Sequence, residues 1–437
     1  MRLSNGSIGM LLLLVASLGA AEQHFAPPTP TAPALNLEGL EQLAMHCNPT
    51  LAEAMHAVES SRGKALQAGL PPNPTVGYVG EQIGIEGTAG EMQGLFVQQS
   101  IVTAGKLRLS REKYSQEARQ AEIQVMAQQL RVLNGVRSRY YETLAALRVV
   151  EIHRELLDNA AQSLLTHREM FNTGQADETD VLMREVAQER ARIALKSAEN
   201  RALAARVHLA SVVGAPHVAD QPLIDCLEPD GAPLEWESSL QVLLRDSPEL
   251  MFALAHVRHD QIMVEREKVE PVPNINVQTA AGYSYETSDA VAGVQIGLDV
   301  PIWNRNQGSI RQARADLARS QAEVARIELA LCSRLAAAFN RYNTAWAAVQ
   351  AYRKINLPKT QQAFDLINEM YEERRRPWMD VVEMKRTLLD VRSEYTQQLL
   401  ALRKAEVEIC GLLLVDGLEQ PPSPVPGGHL DATPQPR

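Results

Sequence analysis

The sequence predicts a mainly α-helical protein with a smaller β contribution, built from a duplicated unit of strand, strand and long helical hairpin. Three observations predict it. The chain repeats at an offset of about 200 residues: Asn48-Pro49-x-Leu51 returns as Ser247-Pro248-x-Leu250, Pro72-Asn73 as Pro273-Asn274, and Met170-Phe171 with Asp180-Val181 as Met370-Tyr371 with Asp380-Val381. Long stretches carry apolar residues at steps of three and four, the spacing of a helix packed along one seam. Between the Pro/Asn landmark and the long helix of each copy the period drops to two, the spacing of a two-faced strand.

Composition narrows the function classes. Acids exceed bases, 53 Asp and Glu against 43 Lys and Arg in 437 residues, for a net charge of −10. A nucleic-acid binder masses Lys and Arg on one face to displace counterions, so that class is excluded. Aromatics are only 5% beside 45% apolar residues, the balance of long helices meeting along narrow seams. No G-x-x-x-x-G-K-[ST], H-E-x-x-H or G-x-S-x-G occurs, so no catalytic constellation is visible and neither enzyme activity nor a cofactor is expected.

In chain order, Arg2 precedes an apolar run from Ile8 to Leu18, followed by Gly19-Ala20-Ala21. The run is too short to cross a bilayer and the small residues suit signal peptidase, so residues 1–21 read as a secretory signal peptide. No cysteine stands beside the cleavage site, and no lipid anchor is expected.

The first repeat, 22–213, opens with a helix ending at Pro72-Asn73 and continues into a β-hairpin over 75–102, with strands Thr75 to Gly84 and Gly94 to Val102. A long helical hairpin over 107–212 follows. Its seam is Ile123, Met126, Leu130, Leu133, Val136, Tyr140, Leu144 and Leu147. Leu107 to Phe171 contains no proline, so at helical rise it makes a rod of roughly 90 to 100 Å. The hairpin turns at Asn172-Thr173-Gly174-Gln175, where Gly174 suits a left-handed C-cap.

Residues 214–235, rich in Gly, Pro and Asp, read as a linker. The second repeat, 236–415, has the cleaner β-hairpin, over 274–302: Ile275, Val277, Thr279, Ala281, Tyr283 and Tyr285 alternate with polar or small residues, as do Ala292, Val294, Ile296, Leu298, Val300 and Ile302. Its helical hairpin, over 308–414, carries Leu317, Val324, Ile327, Leu331, Leu335, Ala338 and Tyr342, then Val381, Met384, Leu388, Val391 and Tyr395. The turn is Glu372 to Trp378, where Pro377 pushes Arg376 out of helical geometry. The Pro-rich end, 416–437, reads as a disordered tail.

Each strand is about as long as the 9 to 11 residues that cross a membrane tilted in a barrel. Four strands cannot close such a barrel, because an open edge in lipid leaves backbone unpaired. Several chains must therefore share one.

These residues resemble a TolC-type outer-membrane efflux protein, of the heavy-metal (CzcC-like) and drug-efflux branch, over Leu37 to Val415. The matching motifs are Asn-Pro-x-Leu at 48 to 51, Gly69-Leu70-Pro71-Pro72-Asn73-Pro74, Gln98-Gln99-Ser100-Ile101-Val102-Thr103-Ala104-Gly105-Lys106, and the two Asp-Val turns. The resemblance implies a homotrimer with a twelve-stranded barrel in outer-membrane lipid and an α-helical periplasmic tunnel. It further implies a periplasmic adaptor and an inner-membrane RND or ABC transporter as partners, and passive conduction of metal ions or small toxic compounds. The duct of a type I secretion system shares the architecture, and a periplasmic coiled-coil scaffold without a pore is the rival from another class; the alternating strands at Asn274 to Ile302 argue against the scaffold.

The resemblance also implies where function sits. Asp380-Val381-Val382-Glu383 occupies the place of the family's acidic run at the periplasmic entrance, so Asp380 and Glu383, with Asp180 in the first copy, are gate candidates. Carboxylates at i, i+3 share a helical face and concentrate charge in three symmetry copies; a solvated acidic helix start gives the same pattern. Gly174 and Arg374-Arg375-Arg376 mark the two tips and read either as an adaptor-docking end or as a solvated charge run. His256 and His259 beside Asp260, and Met45-His46-Cys47 with Met55-His56, are either soft-metal clusters or polar and packed helix faces. The four cysteines lack C-x-x-C spacing; a Cys47–Cys226 disulfide is conceivable in an exported chain, and small apolar packing is the alternative.

Overall fold

The computed structural model describes residues 36–81, 92–224, 227–229 and 231–418. The signal-peptide segment and residues 419–437 of the expected tail lie outside the described residues. The first repeat begins with two helices where one is expected, α1 (Leu37–Cys47) and α2 (Pro49–Ala68). Asn48 makes the break. Its Oδ1 accepts from the Thr50 N–H at 2.9 Å, capping α2, and its Nδ2 donates to the Val212 carbonyl at 2.6 Å. Pro49 sits at the first helical position, where a missing N–H costs nothing.

Four strands form one antiparallel sheet in the order β1 (Thr75–Glu81), β2 (Met92–Ile101), β3 (Ile275–Ser284) and β4 (Asp289–Leu298). The two copies therefore meet at β2–β3, where Gln99 faces Val277 and Val97 faces Thr279. Gly94 faces Gly282 in the same pair, and a Cβ on either would lie 2.3 Å from a carbonyl oxygen of the other strand, so the close approach needs both glycines. β1 is described to Glu81; Gln82, Ile83 and Gly84 of the expected strand lie outside the described residues. β4 starts three residues earlier than expected and stops at Leu298, leaving Val300 and Ile302 outside it. Pro301 has no N–H to extend a ladder, and the chain turns there with the Ile302 N–H on the Val300 carbonyl at 2.9 Å.

The register aligns the alternation across all four strands. Val76 and Tyr78 pair with Val97 and Leu95, which pair with Thr279 and Ala281, and Thr279 and Val277 pair with Val294 and Ile296. One face is thus mainly apolar, interrupted by Gln93 and Gln99 of β2, and it is uncovered among the described residues: Val294 is 70% and Ile296 67% exposed. The opposite face carries Gln98, Ser100, Asn276, Gln278 and Gln295.

The helical body is much longer than the sheet. α3 (Lys106–Asn172) is continuous for 67 residues, about 100 Å, and returns as α4 (Glu178–Val213). The second repeat supplies α5 (Trp236–Asp246), α6 (Pro248–Val269), α7 (Gln307–Ala351), α8 (Leu357–Glu372) and α9 (Trp378–Cys410). Here the outgoing helix is interrupted by a π turn at Tyr352–Asn356. Pro358 lacks the N–H that helix continuation requires, and the wider turn, with the Leu357 N–H on the Tyr352 carbonyl, absorbs the mismatch.

α3 packs against α2, α4, α6 and α9, and α9 against α7 and α8. The second-repeat seam is buried as expected, with Ile327, Leu331, Leu335, Ala338 and Tyr342 meeting Leu399 and Leu402 of α9. The first-repeat seam differs. Val136 and Tyr140 are buried with Leu40 and Leu209, but Met126 is 49% exposed, and Gln120, Gln128, Asn134 and Thr143 are buried instead. Asn134 accounts for its own burial: its Nδ2 donates to the Gly411 and Leu414 carbonyls at 2.9 and 2.6 Å, tying the end of α9 to α3.

The inter-repeat segment is a packed strap. Leu227 is buried in the second-repeat core, Tyr395 donates to Glu228 Oε2 at 2.6 Å, and Tyr140 donates to the Ile224 carbonyl at 3.1 Å. Of the tail expected to be disordered, 416–418 packs back: the Gly417 carbonyl accepts from the Thr50 hydroxyl at 3.3 Å. Cys47, Cys332 and Cys410 carry free thiols, and Cys226 lies outside the described residues. No described helix is long and apolar enough to cross a membrane.

Candidate functional site

The helical hairpins end in two tips built on one backbone plan. In the first, the Thr173, Gly174 and Gln175 N–H groups donate to the Glu169, Phe171 and Met170 carbonyls at 3.1, 3.0 and 2.7 Å. In the second, 200 residues on, Glu373, Arg374 and Arg375 donate to Glu369, Tyr371 and Met370 at 3.0, 2.8 and 2.8 Å. Gly174 has φ 73°, the left-handed cap expected of it; its counterpart is Arg374, at φ 58°. A non-glycine residue is disfavoured there because its Cβ crowds the following carbonyl. Tyr371 and Trp378 clasp the second tip, ring centroids 5.0 Å apart. Trp378 closes the turn already read in the sequence, and the cue to the clasp is an aromatic on each side of the breaker.

The acidic candidates differ between the copies for a covalent reason. Asp180 Oδ2 accepts from the Asp177 N–H at 3.4 Å, half of a capping box opening α4. At the equivalent N-cap of α9 stands Pro377, which has no N–H to give. Asp380 pairs instead with Arg376, Nη1 to Oδ2 at 3.1 Å. Glu383 is exposed and has no ion pair among the described residues. Between the two, Val381 and Val382 are buried, and Asn159 of α3 donates to the Val382 carbonyl at 2.9 Å. Asp380 is half-buried and Glu383 exposed, beside these two buried valines. Of the arginines, Arg375 pairs with Glu373 at 3.1 Å, and Arg374 is exposed.

Behind the tips, α3, α4 and α9 enclose a cavity of about 330 Å³ lined by His153, Asn159, Ser163, Met183, Val382 and Glu383. Burial and the Arg201 charge hold the His153 pKa below its ordinary value. On α4, Leu182, Met183, Val186 and Ile193 are exposed, an apolar stripe at helical spacing of which Met183 and Val186 also line the cavity.

The histidine candidates sit elsewhere, where α6 packs on α3 and α7. His259 Nδ1 is 3.0 Å from Asp260 Oδ1, His256 Nε2 is 3.8 Å from the same oxygen, and His259 Nε2 is 3.7 Å from Glu117 Oε1. Burial opposes both charged forms, but the carboxylates Asp260 and Glu117 raise the His259 pKa, and His259 with His256 lowers that of Asp260. Of the second soft-ligand cluster, Cys47, Met55 and His56 are exposed; among the described residues it forms no group of metal-ligating side chains.

The family model described as outer membrane efflux protein matches residues 40–215 and 239–413, one block per repeat. The cobalt-zinc-cadmium resistance protein CzcC of Cupriavidus metallidurans is 25% identical over 376 residues, covering 84% of this chain and 87% of that protein. Among solved structures, CusC aligns with a TM-score of 0.70 at 17% identity, over 87% of this chain and 92% of that one. The MtrE outer membrane channel of Neisseria gonorrhoeae, in its open state, aligns with a TM-score of 0.69 at 18% identity, over 88% and 90%.

Proposed function

The chain belongs to the outer membrane efflux protein family, whose members are outer-membrane channels rather than enzymes, and from that premise we propose that it forms the exit duct of a tripartite pump for divalent metal cations. In this reading three copies share a twelve-stranded barrel and a helical tunnel. A periplasmic adaptor docks at the tips carrying Gly174 and Arg374 to Arg376, and an inner-membrane transporter supplies the energy.

The observation that carries the reading is the uncovered apolar sheet. Four strands with two open edges suit one third of a lipid-embedded barrel, and alternation fits lipid on one face and water on the other. The exposed stripe on α4 suits a neighbouring copy. Cations as cargo are supported by the name of the CzcC relative and by Glu383, which forms no ion pair among the described residues. With Arg376 offsetting Asp380, Glu383 is left as the unpaired carboxylate of this run, and three copies of it form a ring that favours multivalent cations.

Planar-bilayer conductance tests this. The double variant Asp380→Asn, Glu383→Gln should lose cation preference and be blocked less by divalent cations, with its thermal stability nearly unchanged. Unchanged selectivity with a small stability loss would mean that these carboxylates only start a helix.

A further inference from the structure

We propose that His256, His259 and Asp260 of α6 form a binding site for one borderline divalent cation, of the zinc or cobalt class. The site is separate from the entrance. Its outer partner Glu117 lies 55 residues before the end of α3 at Asn172, roughly 80 Å along the helix.

Four observations converge on it. His256 and Asp260 are one helical turn apart, so both side chains leave the same face of α6. Donor atoms of all three residues lie within 4.8 Å of one another, with two separations of 3.0 and 3.8 Å. Around a tetrahedral ion with bonds of roughly 2.0 to 2.1 Å, ligand atoms sit about 3.3 Å apart, so rotamer adjustments close the site.

Asp260 is 2% exposed, and its Oδ2 has no hydrogen-bond partner among the described residues; the nearby Ser320 hydroxyl donates to the Leu317 carbonyl at 3.0 Å. A buried carboxylate with one oxygen left without a donor is costly, and a cation held by the same carboxylate offsets that cost. Finally, Glu117 supports a defined tautomer. With Nδ1 of His259 on the ion, its Nε2–H faces Glu117 Oε1 at 3.7 Å, the carboxylate–histidine–metal arrangement that orients ligating imidazoles. Two nitrogens and one oxygen suit zinc or cobalt rather than magnesium or calcium. His256, the most exposed of the three, gives the ion its access.

The test uses the full chain, extracted in detergent and stripped with a chelator, with Co²⁺ and Zn²⁺ as probes. Calorimetry should give one equivalent of zinc per chain, and cobalt should develop visible d–d absorption. His256→Gln and Asp260→Asn should each weaken binding at least 100-fold, and Glu117→Gln by about 10- to 100-fold with the stoichiometry kept. Wild-type affinity in His256→Gln would overturn the site. Zinc X-ray absorption on the wild type needs no variant: two imidazoles per zinc are expected, and one or none overturns the proposal even where a variant fails to assemble.

Discussion

Arg374 is the residue at which the two copies part. It holds the left-handed conformation that Gly174 holds in the first tip, within an otherwise matching hydrogen-bond pattern. Arg374→Gly should therefore stabilise the tip locally by about 1 kcal/mol, read as slower hydrogen exchange at the Arg375 amide, whereas Gly174→Ala should speed exchange at Gln175. The left-handed glycine was legible because Gly174 follows a seam of helical period. The arginine was not, because nothing in Arg374-Arg375-Arg376 says which residue takes the positive φ. Asp380 carries a similar lesson. The carboxylate could be found by its spacing from Glu383, but its pairing with Arg376 follows from the N–H that Pro377 lacks. Removing that counter-charge with Arg376→Gln should raise cation preference in bilayer conductance, opposite in sign to the Asp380→Asn, Glu383→Gln double variant.

The elements were legible where one face is uniform and obscure where it is mixed. β3 and β4 alternate cleanly, so both were found; β4 was drawn out to Ile302 because Val300 and Ile302 keep the period beyond the proline that ends the pairing. The π turn before Pro358 could not be read from spacing, since a one-residue widening leaves the flanking seams intact. In α3 the sequence seam runs through Met126, whereas burial runs through Gln128 and Asn134 because they serve backbone carbonyls of the C-terminal segment. Asn134→Ala orphans two such carbonyls and should destabilise the folded chain by about 1 to 3 kcal/mol, measured by thermal unfolding. On β4 the facing is testable: Val294→Arg or Ile296→Arg should lower the yield of assembled outer-membrane protein, at a cost of roughly 2 to 4 kcal/mol near mid-bilayer. Gln295→Arg, on the other face, should be milder, and equal yields would refute the facing.

At the scale of the molecule, the duplication was the most legible feature because its landmarks are structural. Asn48 caps α2 and reaches α4, and Asn274 receives the Thr103 N–H at 3.3 Å and Lys106 Nζ at 3.0 Å, joining the strand ends of the two copies. The histidine cluster was half legible, since His256 and Asp260 share one helix but Glu117 comes from another and only packing unites them. What remains open within one chain is its outer boundary: β1 and β4 are edge strands, the sheet's apolar face is bare, and the stripe on α4 is exposed. The strand edges and the stripe close if three copies assemble, as lipid cannot satisfy an open strand edge, while lipid covers the apolar face. Native mass measurement of the detergent-extracted full chain tests this most directly. A three-chain species is predicted, and a stable monomer would contradict the account.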